Sequence, residues 1–499
     1  MLPSTKELWT TRHGLIWAAW LGLLFLLPVT SQPLLARWVG GGPVSPLSLI
    51  PLAFILVFGL LPQLRHGLKL PRLAVPLLLF VAAAVLSTVL APWIGLTDFK
   101  EADVVERGVR GMMTLGIGVG FYLAAALIAD TEERTRSSLA AIGAGAIVML
   151  LWSTVQVAHI PYRNDPHPAW VIQVQEWISL QDLFRDRVSG MAYEPSWLAD
   201  QLVIFYLPLW AACILRRVTA FGRRSRWVSM ETILLAWGTV ILLGTFSRIG
   251  VAAWIAVVGI LAVAGGGLLG RKVARRSGRG WLGIAGPALG ALLVVVLALA
   301  LVVAAAQVDR RVAQIFQIDV EQLQESRHPA WFLLANNLRY AERVMYWTTA
   351  SRAFALHPLL GVGLGNTGFV IREVMPAFGY GLPEMLLAVD PGSPLFPNPK
   401  SLWFRLVAET GMLGFVLFAA FLLVAAAGGW VVQKMGNGTK GAVGLASLFS
   451  LIALLVEGFS LDSFALPYLW VMLGMTAAGW GALERGPAVP DPQAPARST

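Results

Sequence analysis

The chain has 499 residues, of which 57% are hydrophobic and only 13% are charged, and it contains 20 Trp. A soluble globular protein of this composition would expose too much apolar surface, so the composition excludes that class and indicates a polytopic membrane protein. The formal net charge is +10, but the excess lies in short loops between apolar segments, which argues against nucleic acid as a partner.

About twelve apolar segments approach the roughly 20 residues that a helix needs to cross a bilayer. They lie near residues 14–31, 45–62, 73–93, 108–129, 138–158, 196–215, 230–246, 249–270, 282–307, 403–427, 441–458 and 465–484. We therefore predict an all-α polytopic membrane protein with about twelve transmembrane helices in one domain, residues 1–484. Residues 485–499 are predicted to be a disordered cytoplasmic tail.

Lys and Arg residues cluster in short loops on one side of the predicted bundle. The clusters lie near residues 65–72, 134–136, 216–226, 271–279 and 434–440. Because positive residues are enriched in cytoplasmic loops, we expect these loops and both termini to be cytoplasmic. Two long loops, about 159–195 and 308–402, then lie outside, and each is predicted to carry a short helix.

The first outer loop contains a stretch, 168–184, whose apolar residues recur at helical spacing. A helix of this kind lies in the headgroup plane, where it either lines a lipid entrance or caps the bundle. The loop ends in Tyr193-Glu194-Pro195-Ser196 at the start of the next helix. Glu194 is suited to cap that helix, and it is also a candidate general base at the membrane surface.

Arg248 lies in a short junction between two apolar segments, at the outer interface. A charge there is costly and usually faces a cavity or a partner, although a long side chain can also extend to the headgroups.

The second outer loop is predicted to contain a helix around 330–356. On it, Arg339 and Arg343 are one turn apart, and Trp347 follows Arg343 by four residues. Paired guanidinium groups over an aromatic floor suit a phosphate or pyrophosphate. Salt bridges to Glu342 or Glu325 are the alternative interpretation.

The same loop contains Gly363-x-Gly365-x-x-Gly368, which has the spacing of a dinucleotide-binding loop. No strand-helix-strand unit surrounds these glycines, and they lie away from cytosolic nucleotides, so we do not expect that function. Glycines do let consecutive backbone N–H groups converge on an anion. We therefore expect Gly363 and Gly365 to contribute to a pyrophosphate site.

Five short motifs follow one another along the chain. They are Glu-Pro-Ser at 194–196, Ser-Arg at 247–248, Arg343 with Trp347, Pro-Leu-Leu-Gly-Val-Gly at 358–363 and Ala-Glu-Thr-Gly-x-Leu-Gly at 408–414. With these motifs in this order, the chain resembles the O-antigen polymerase and O-antigen ligase superfamily of bacterial membrane glycosyltransferases. The resemblance implies a GT-C-like helical fold in the inner membrane, with an active site that opens to the periplasm.

The resemblance also implies the substrate, a lipid-linked oligosaccharide carried on undecaprenyl pyrophosphate, with no cofactor, metal or nucleotide sugar. Polymerases transfer a growing chain onto another lipid-linked repeat, whereas ligases transfer a finished chain onto lipid A-core, and both release undecaprenyl pyrophosphate. Arg248 and Arg343 would bind the departing pyrophosphate, since stabilisation of developing charge is commonly the largest catalytic term. Membrane lipids and a chain-length regulator are the other expected partners.

The chain departs from the ligase pattern at Lys400, where ligases carry a His at this spacing from Gly-x-x-Gly. Lys400 would bind an anion as a point charge, but it would act as a base only with a strongly lowered pKa. We therefore favour a polymerase in which Glu194 accepts the proton. Three residues stay open, Asn398 and His357 as substitutes for the missing His, and Glu409 as either catalytic or structural.

A transporter or flippase of lipid-linked sugars would have a similar helix count. Transporters commonly show internal repeats and charged or broken helices near the midplane. The chain shows no convincing repeat between its halves, and its polar residues concentrate on one face of the membrane, which favours an enzyme. A peptidoglycan-type polymerase of the shape and division class is a further alternative, without support from the motifs.

Overall fold

The computed structural model of the protein describes residues 5–38, 42–64, 67, 70–162, 164–222, 228–308, 335–336 and 340–485. Within these residues the regular structure is helical, with two isolated β-bridges and no strand. The predicted tail beyond residue 485 and the predicted ligand Arg339 lie outside the described residues.

Helices occur at all twelve predicted places. They are Thr5–Phe25, Leu49–Phe54 with its continuation to Leu64, Val75–Leu90, Val104–Ile128, Glu132–His159, Pro195–Gln201 with its continuation to Arg216, Met230–Gly244, Arg248–Ser277, Leu282–Val308, Leu402–Met435, Gly438–Glu457 and Pro467–Arg485. Eight helical segments of the described residues are long and apolar enough to cross a membrane. The number twelve and the GT-C-like assignment stay predictions.

Side chains at the helix starts explain several boundaries. The carboxylate of Asp103 accepts hydrogen bonds from the backbone N–H groups of Val105 and Glu106, and the hydroxyl of Thr131 accepts one from Arg134. These bonds satisfy donors that the first turn of a helix leaves free.

The loops predicted to be cytoplasmic meet at one end of the bundle. The carboxylate of Glu132 accepts hydrogen bonds from the N–H and the hydroxyl of Thr439 at 2.6 and 2.7 Å. The amino group of Lys440 donates to the carbonyl oxygen of Asp130, and Arg485 is 3.6 Å from the carboxylate of Asp130. These connections therefore share one end, as the charge pattern predicts.

The segment Pro195–Arg216 is the most enclosed of the eight candidate spans, with 89% of its most apolar window buried. It is not a regular α-helix throughout, because Leu202–Tyr206 forms a π-helical stretch. Pro208 follows two residues later and has no N–H to donate to the preceding turn, which interrupts the regular α pattern. Such π-helical stretches often occur at functional sites.

The helices Arg248–Ser277 and Leu282–Val308 form a closely packed hairpin. A Cβ atom on Gly266 would overlap the carbonyl oxygen of Gly286, and a Cβ atom on Gly286 would overlap that of Gly266. Only glycine permits two helix backbones to approach this closely. None of the apolar window of Leu282–Val303 is buried, so the second helix of the hairpin lies at the edge of the bundle.

Both outer loops contain a helix where one is predicted, and the one in the first loop has shorter bounds. In the first loop, Ala169–Ile178 buries Val171 and Gln175, while Trp170 and Trp177 are 55% and 82% exposed. In the second loop, the described helix runs from Ala341 to Leu356. The exposed Trp side chains suit a helix that lies in the headgroup plane.

Candidate functional site

A cavity of about 500 Å³ lies at the end of the bundle opposite the Lys- and Arg-rich loops. Five separate parts of the chain form it, residues 43–44, 107–114, 193–197, 343–405 and 460–463. Four of the residues predicted from the sequence line it, Glu194, Arg343, Gly365 and Lys400. The structure thus brings together side chains that are far apart in the chain.

Glu194 stands where the first outer loop enters a helix, and Pro195 occupies the first helical turn. Its side chain makes no capping hydrogen bond; instead Oε2 accepts a hydrogen bond of 2.9 Å from the hydroxyl of Ser196. Glu194 therefore presents a half-buried carboxylate to the cavity. The side-chain cap is not formed, and the role of general base stays a prediction.

Arg343 enters the cavity from the first turn of the helix Ala341–Leu356. Its Nη1 donates to the carbonyl oxygen of Lys400 at 3.4 Å. Within the described part of the chain it makes no ion pair, so the alternative of a salt bridge to Glu342 is not realised, while Glu325 lies outside the described residues. Its donors are therefore available to an anion.

Lys400 has a backbone φ of 48°, a left-handed conformation that costs free energy for a residue with a side chain. Its amino group pairs with the carboxylate of Glu384 and lies 5.0 Å from the ring centroid of Tyr346. Its N–H donates to Oδ1 of Asn398, which also lines the cavity. Lys400 is therefore a charged wall residue with its own counterion.

Two other predicted residues lie away from the cavity lining. Trp347 stacks on Phe404 at 5.4 Å with an interplanar angle of 10°, so it is not the aromatic floor beneath Arg343 that the sequence predicts. The guanidinium of Arg248 lies 4.4 Å from the ring centroid of Tyr340, and the charges of both Arg248 and Arg343 act on that tyrosine. Arg248 thus contacts Tyr340, which lies between it and Arg343 in the sense that both charges act on this ring.

The motif at 358–363 pairs with the motif at 408–414 through the backbone. Val362 and Gly363 donate to the carbonyl oxygens of Ala408 and Glu409, and Met412 donates to that of Pro358, at 2.8–2.9 Å. The N–H of Gly363 is therefore engaged, and the prediction that Gly363 contributes to an anion nest is wrong. The two motifs instead lock the second outer loop onto a candidate span.

Gly365 does line the cavity, but a Cβ atom there would lie 2.9 Å from the carbonyl oxygen of Arg107. Its φ is 79°, a conformation that glycine adopts without cost. Glycine here lets the loop backbone approach the helix Val104–Ile128.

Gly411 interrupts the helix Leu402–Met435 with a φ of 63° and a ψ of −167°. A Cβ atom there would overlap the carbonyl oxygen of Leu359. We expect Gly411→Ala to destabilise the protein by about 1–3 kcal/mol or more, because it adds a strained backbone to this overlap. Thermal unfolding of the detergent-purified protein measures the loss.

Gly116→Ala is the matched control, because it lies in the middle of the helix Val104–Ile128 and its Cβ would meet nothing within 4 Å. We expect the control to leave the unfolding temperature unchanged or slightly raised. Equal unfolding temperatures for the two variants would contradict the proposed lock between the motifs.

Three cationic residues of the cavity were not predicted from the sequence, Arg107, Arg110 and Arg405. Arg107 stacks on Phe396 at 3.9 Å, and its buried Nε has no hydrogen-bond partner among the described residues. Arg110 pairs with the exposed Glu106 at 2.6 Å. The unsatisfied Nε of Arg107, a donor in the cavity wall, suits an anionic ligand.

Arg405 is held in place by Glu409, whose Oε2 lies 2.8 Å from the guanidinium Nε. Oε1 of Glu409 accepts a hydrogen bond from the hydroxyl of Thr367, and the carboxylate is buried. Glu409 therefore positions Arg405. His357 does not line the cavity, and its backbone N–H bonds to Ala353 at the end of its helix.

Asp462 is a second cavity carboxylate that the sequence analysis missed. Its backbone carbonyl, and not its carboxylate, accepts a hydrogen bond from Arg405. Burial raises the pKa of Asp462 above the usual range, while the charges of Arg405, Arg343 and Lys400 act in the opposite direction. Five cationic and two acidic side chains line the cavity, so its field favours anions.

The described residues contain no group of three or more His, Cys, Asp and Glu side chains that could hold a metal ion.

Comparison with protein families finds a match over the middle of the chain. Residues 233–419 match the family model Wzy_C, described as O-antigen ligase. The match confirms the resemblance to the O-antigen polymerase and ligase superfamily, and it covers Arg248, Arg343, Gly365 and Lys400. Among the curated proteins compared, none matches the chain.

Proposed function

We propose that the protein polymerises undecaprenyl-pyrophosphate-linked oligosaccharide repeats at the periplasmic face of a bacterial inner membrane. The observation that carries the proposal is that Glu194 lines the same cavity as three guanidinium groups, those of Arg343, Arg107 and Arg405. A carboxylate base and a cluster of guanidinium groups are the two components that glycosyl transfer from a pyrophosphate needs.

In the proposed step, the acceptor hydroxyl attacks the anomeric carbon of the donor sugar. The glycosidic bond forms as the bond between that carbon and the pyrophosphate oxygen breaks, and Glu194 accepts the hydroxyl proton. The leaving undecaprenyl pyrophosphate keeps the electron pair, and Arg343 with Arg107 and Arg405 stabilises its developing charge. Inversion at the anomeric carbon follows from a single displacement.

Polymerase is favoured over ligase because of Lys400. The amino group stands where the ligase pattern has a His, and it is engaged as a donor to the carboxylate of Glu384, which suits an anion ligand and not a proton acceptor. O-antigen ligase is the second candidate, because the matched family model carries that description. No metal ion enters either proposed reaction.

A glycan profile of complemented deletion cells tests the proposal. For a polymerase, cells without the protein should carry single repeats on their acceptor, and the wild-type gene should restore long chains. Accumulation of long lipid-linked chains that never reach lipid A-core would instead identify a ligase. Loss of surface glycan altogether, with no lipid-linked repeats at the outer face, would instead identify a flippase.

Asp462 should tune donor binding. We expect Asp462→Asn to lower the KM for the lipid-linked donor roughly fivefold, because removal of one negative charge beside the guanidinium groups is worth about 1 kcal/mol. In the wild-type enzyme the KM should rise with pH, since the carboxyl loses its proton as pH passes its raised pKa. The measurement is the KM across pH for both proteins.

The Asn variant should show little of this pH dependence, because its amide cannot ionise. A higher KM for Asp462→Asn, or an unchanged pH profile, would show that the carboxylate does not oppose the donor. The contact between Arg405 and residue 462 uses the backbone carbonyl and is kept in the variant.

A further inference from the structure

A group of polar side chains is buried inside the bundle, below the cavity. Asp200 is 3% exposed, Glu457 is 1% exposed and Gln201 is fully buried. Among the described residues, Asp200 Oδ1, Glu457 Oε2 and both amide atoms of Gln201 have no hydrogen-bond partner. Because buried polar atoms in native proteins are nearly always bonded, these four atoms indicate a group or a proton that the heavy-atom contacts do not show.

The position of the pair connects it to the cavity. Asp200 follows Glu194 by six residues, which is about 9 Å along a helix axis. Glu457 ends the helix Gly438–Glu457, and the cavity residues Ser460 and Asp462 follow it directly. The π-helical stretch Leu202–Tyr206 begins two residues after Asp200.

The charges around the pair come from several elements. Asp200 and Glu457 lie close enough for their charges to interact, and Arg343 is the cation that acts on Glu457. Tyr340 also interacts with Glu457, while Tyr468 interacts with Asp200. Within the described parts of the chain, no lysine or second arginine is among the charges that act on these two carboxyls.

Two ionised carboxylates cannot be compensated by one guanidinium group. Removal of each ion from water costs free energy, and like charges at short range add to this cost. A single proton between the two groups removes one of the buried charges and with it the repulsion between them, as in other close carboxyl pairs. The protonated group donates to the other carboxylate, which gives a charge-assisted hydrogen bond to atoms that otherwise have no partner.

We propose that Asp200 and Glu457 share one proton, and that the single remaining charge is the buried counterion that positions Arg343 for the pyrophosphate. Glu457 is thus a positioning residue that acts through Arg343. The positioning role rests on the proposed function, whereas the shared proton does not.

Infrared difference spectroscopy of the purified protein tests the shared proton without any activity measurement. We expect the wild type at neutral pH to show the C=O band of a protonated carboxyl that Asp200→Asn removes, because Glu457 then keeps its charge opposite Arg343. Glu457→Gln should shift the band and not remove it, because Asp200 is left buried and must be protonated. A wild-type spectrum without such a band overturns the shared proton. So does a band that appears only when Na⁺ is withdrawn, because a bound cation and not a proton would then compensate the two carboxylates.

Kinetics test the positioning role. We expect Glu457→Gln to lower kcat about tenfold without raising the donor KM, because the charge of Arg343 remains while its orientation is lost. In an Arg343→Ala background the same substitution should have no further effect, since residues that act through one group are not additive. Equal losses in both backgrounds would assign Glu457 a merely structural role.

Glu231→Gln is the matched control. Glu231 is also a buried carboxylate, 2% exposed, but it accepts hydrogen bonds from Thr219 and Ala220 and does not line the cavity. We expect it to lower stability while kcat stays unchanged. A wild-type protein without transferase activity would contradict the proposed function, while the infrared result would still decide on the proton.

Discussion

Arg343→Ala should reduce the rate of glycan polymerisation about 10²- to 10³-fold, the loss expected when one well-placed donor to a developing charge is removed. The side chain is half-buried and makes one backbone contact of 3.4 Å. Its loss also removes the cation that acts on Glu457, so thermal unfolding of the variant is measured beside the rate. The measurement is the initial rate with purified protein and lipid-linked repeats, alongside the glycan profile of complemented cells.

Arg352→Ala is the matched control for this variant. Arg352 lies on the same helix, Ala341–Leu356, and its Nη1 donates to the carbonyl oxygen of Val374, away from the cavity. We expect the control to keep the wild-type rate. Arg343→Lys should recover part of the rate, because lysine supplies the charge but not the planar fork of donors. Similar rates for Arg343→Ala and Arg352→Ala would remove Arg343 from the mechanism.

Glu194→Gln should lower the polymerisation rate about 10²- to 10⁴-fold, the usual contribution of a general base. The amide keeps the size of the side chain and can still accept the hydrogen bond from Ser196. Loss of the negative charge should, as in Asp462→Asn, tighten binding of the anionic donor, so the expected loss lies in the chemical step. Single-turnover rates at saturating donor separate this effect from binding.

Two further variants sharpen the assignment of the base. Glu176→Gln changes an exposed carboxylate on the same outer loop, in the helix Ala169–Ile178 and outside the cavity lining, and we expect no effect. Ser196→Ala removes the hydroxyl that contacts Glu194 and should cost a smaller factor than Glu194→Gln. A larger loss in Asp462→Asn than in Glu194→Gln would move the base to Asp462.

The helices could be predicted because long apolar segments report membrane burial directly. Helices begin within a few residues of most of the predicted starts, as at Pro195, Met230, Arg248 and Leu402. The motifs also located part of the site, since Glu194, Arg343 and Lys400 meet in one cavity. Short stretches of sequence carry this information because the polarity of each residue reflects whether its own side chain is buried in the membrane or exposed.

The rest of the site depends on contacts between distant parts of the chain. Arg107 and Asp462 are far apart in the sequence and belong to none of the five motifs, yet they share one cavity. The signals available were indirect, such as arginines at the outer end of a helix and a charge at Arg405 inside an apolar segment. The predicted contacts of Trp347 and Gly363 were wrong because helix periodicity and glycine spacing do not show which residues of other segments will pack against them.

The cavity is assembled from five separate parts of the chain, and this has a consequence for biosynthesis. Arg107 and Arg110 enter the membrane early, whereas Ser460 and Asp462 are made near the end of translation. We expect a chain that stops before residue 458 to insert but to lack one wall of the cavity, so that donor binding begins only on near-complete chains. Donor crosslinking to a series of truncated chains would show whether catalytic competence arises late.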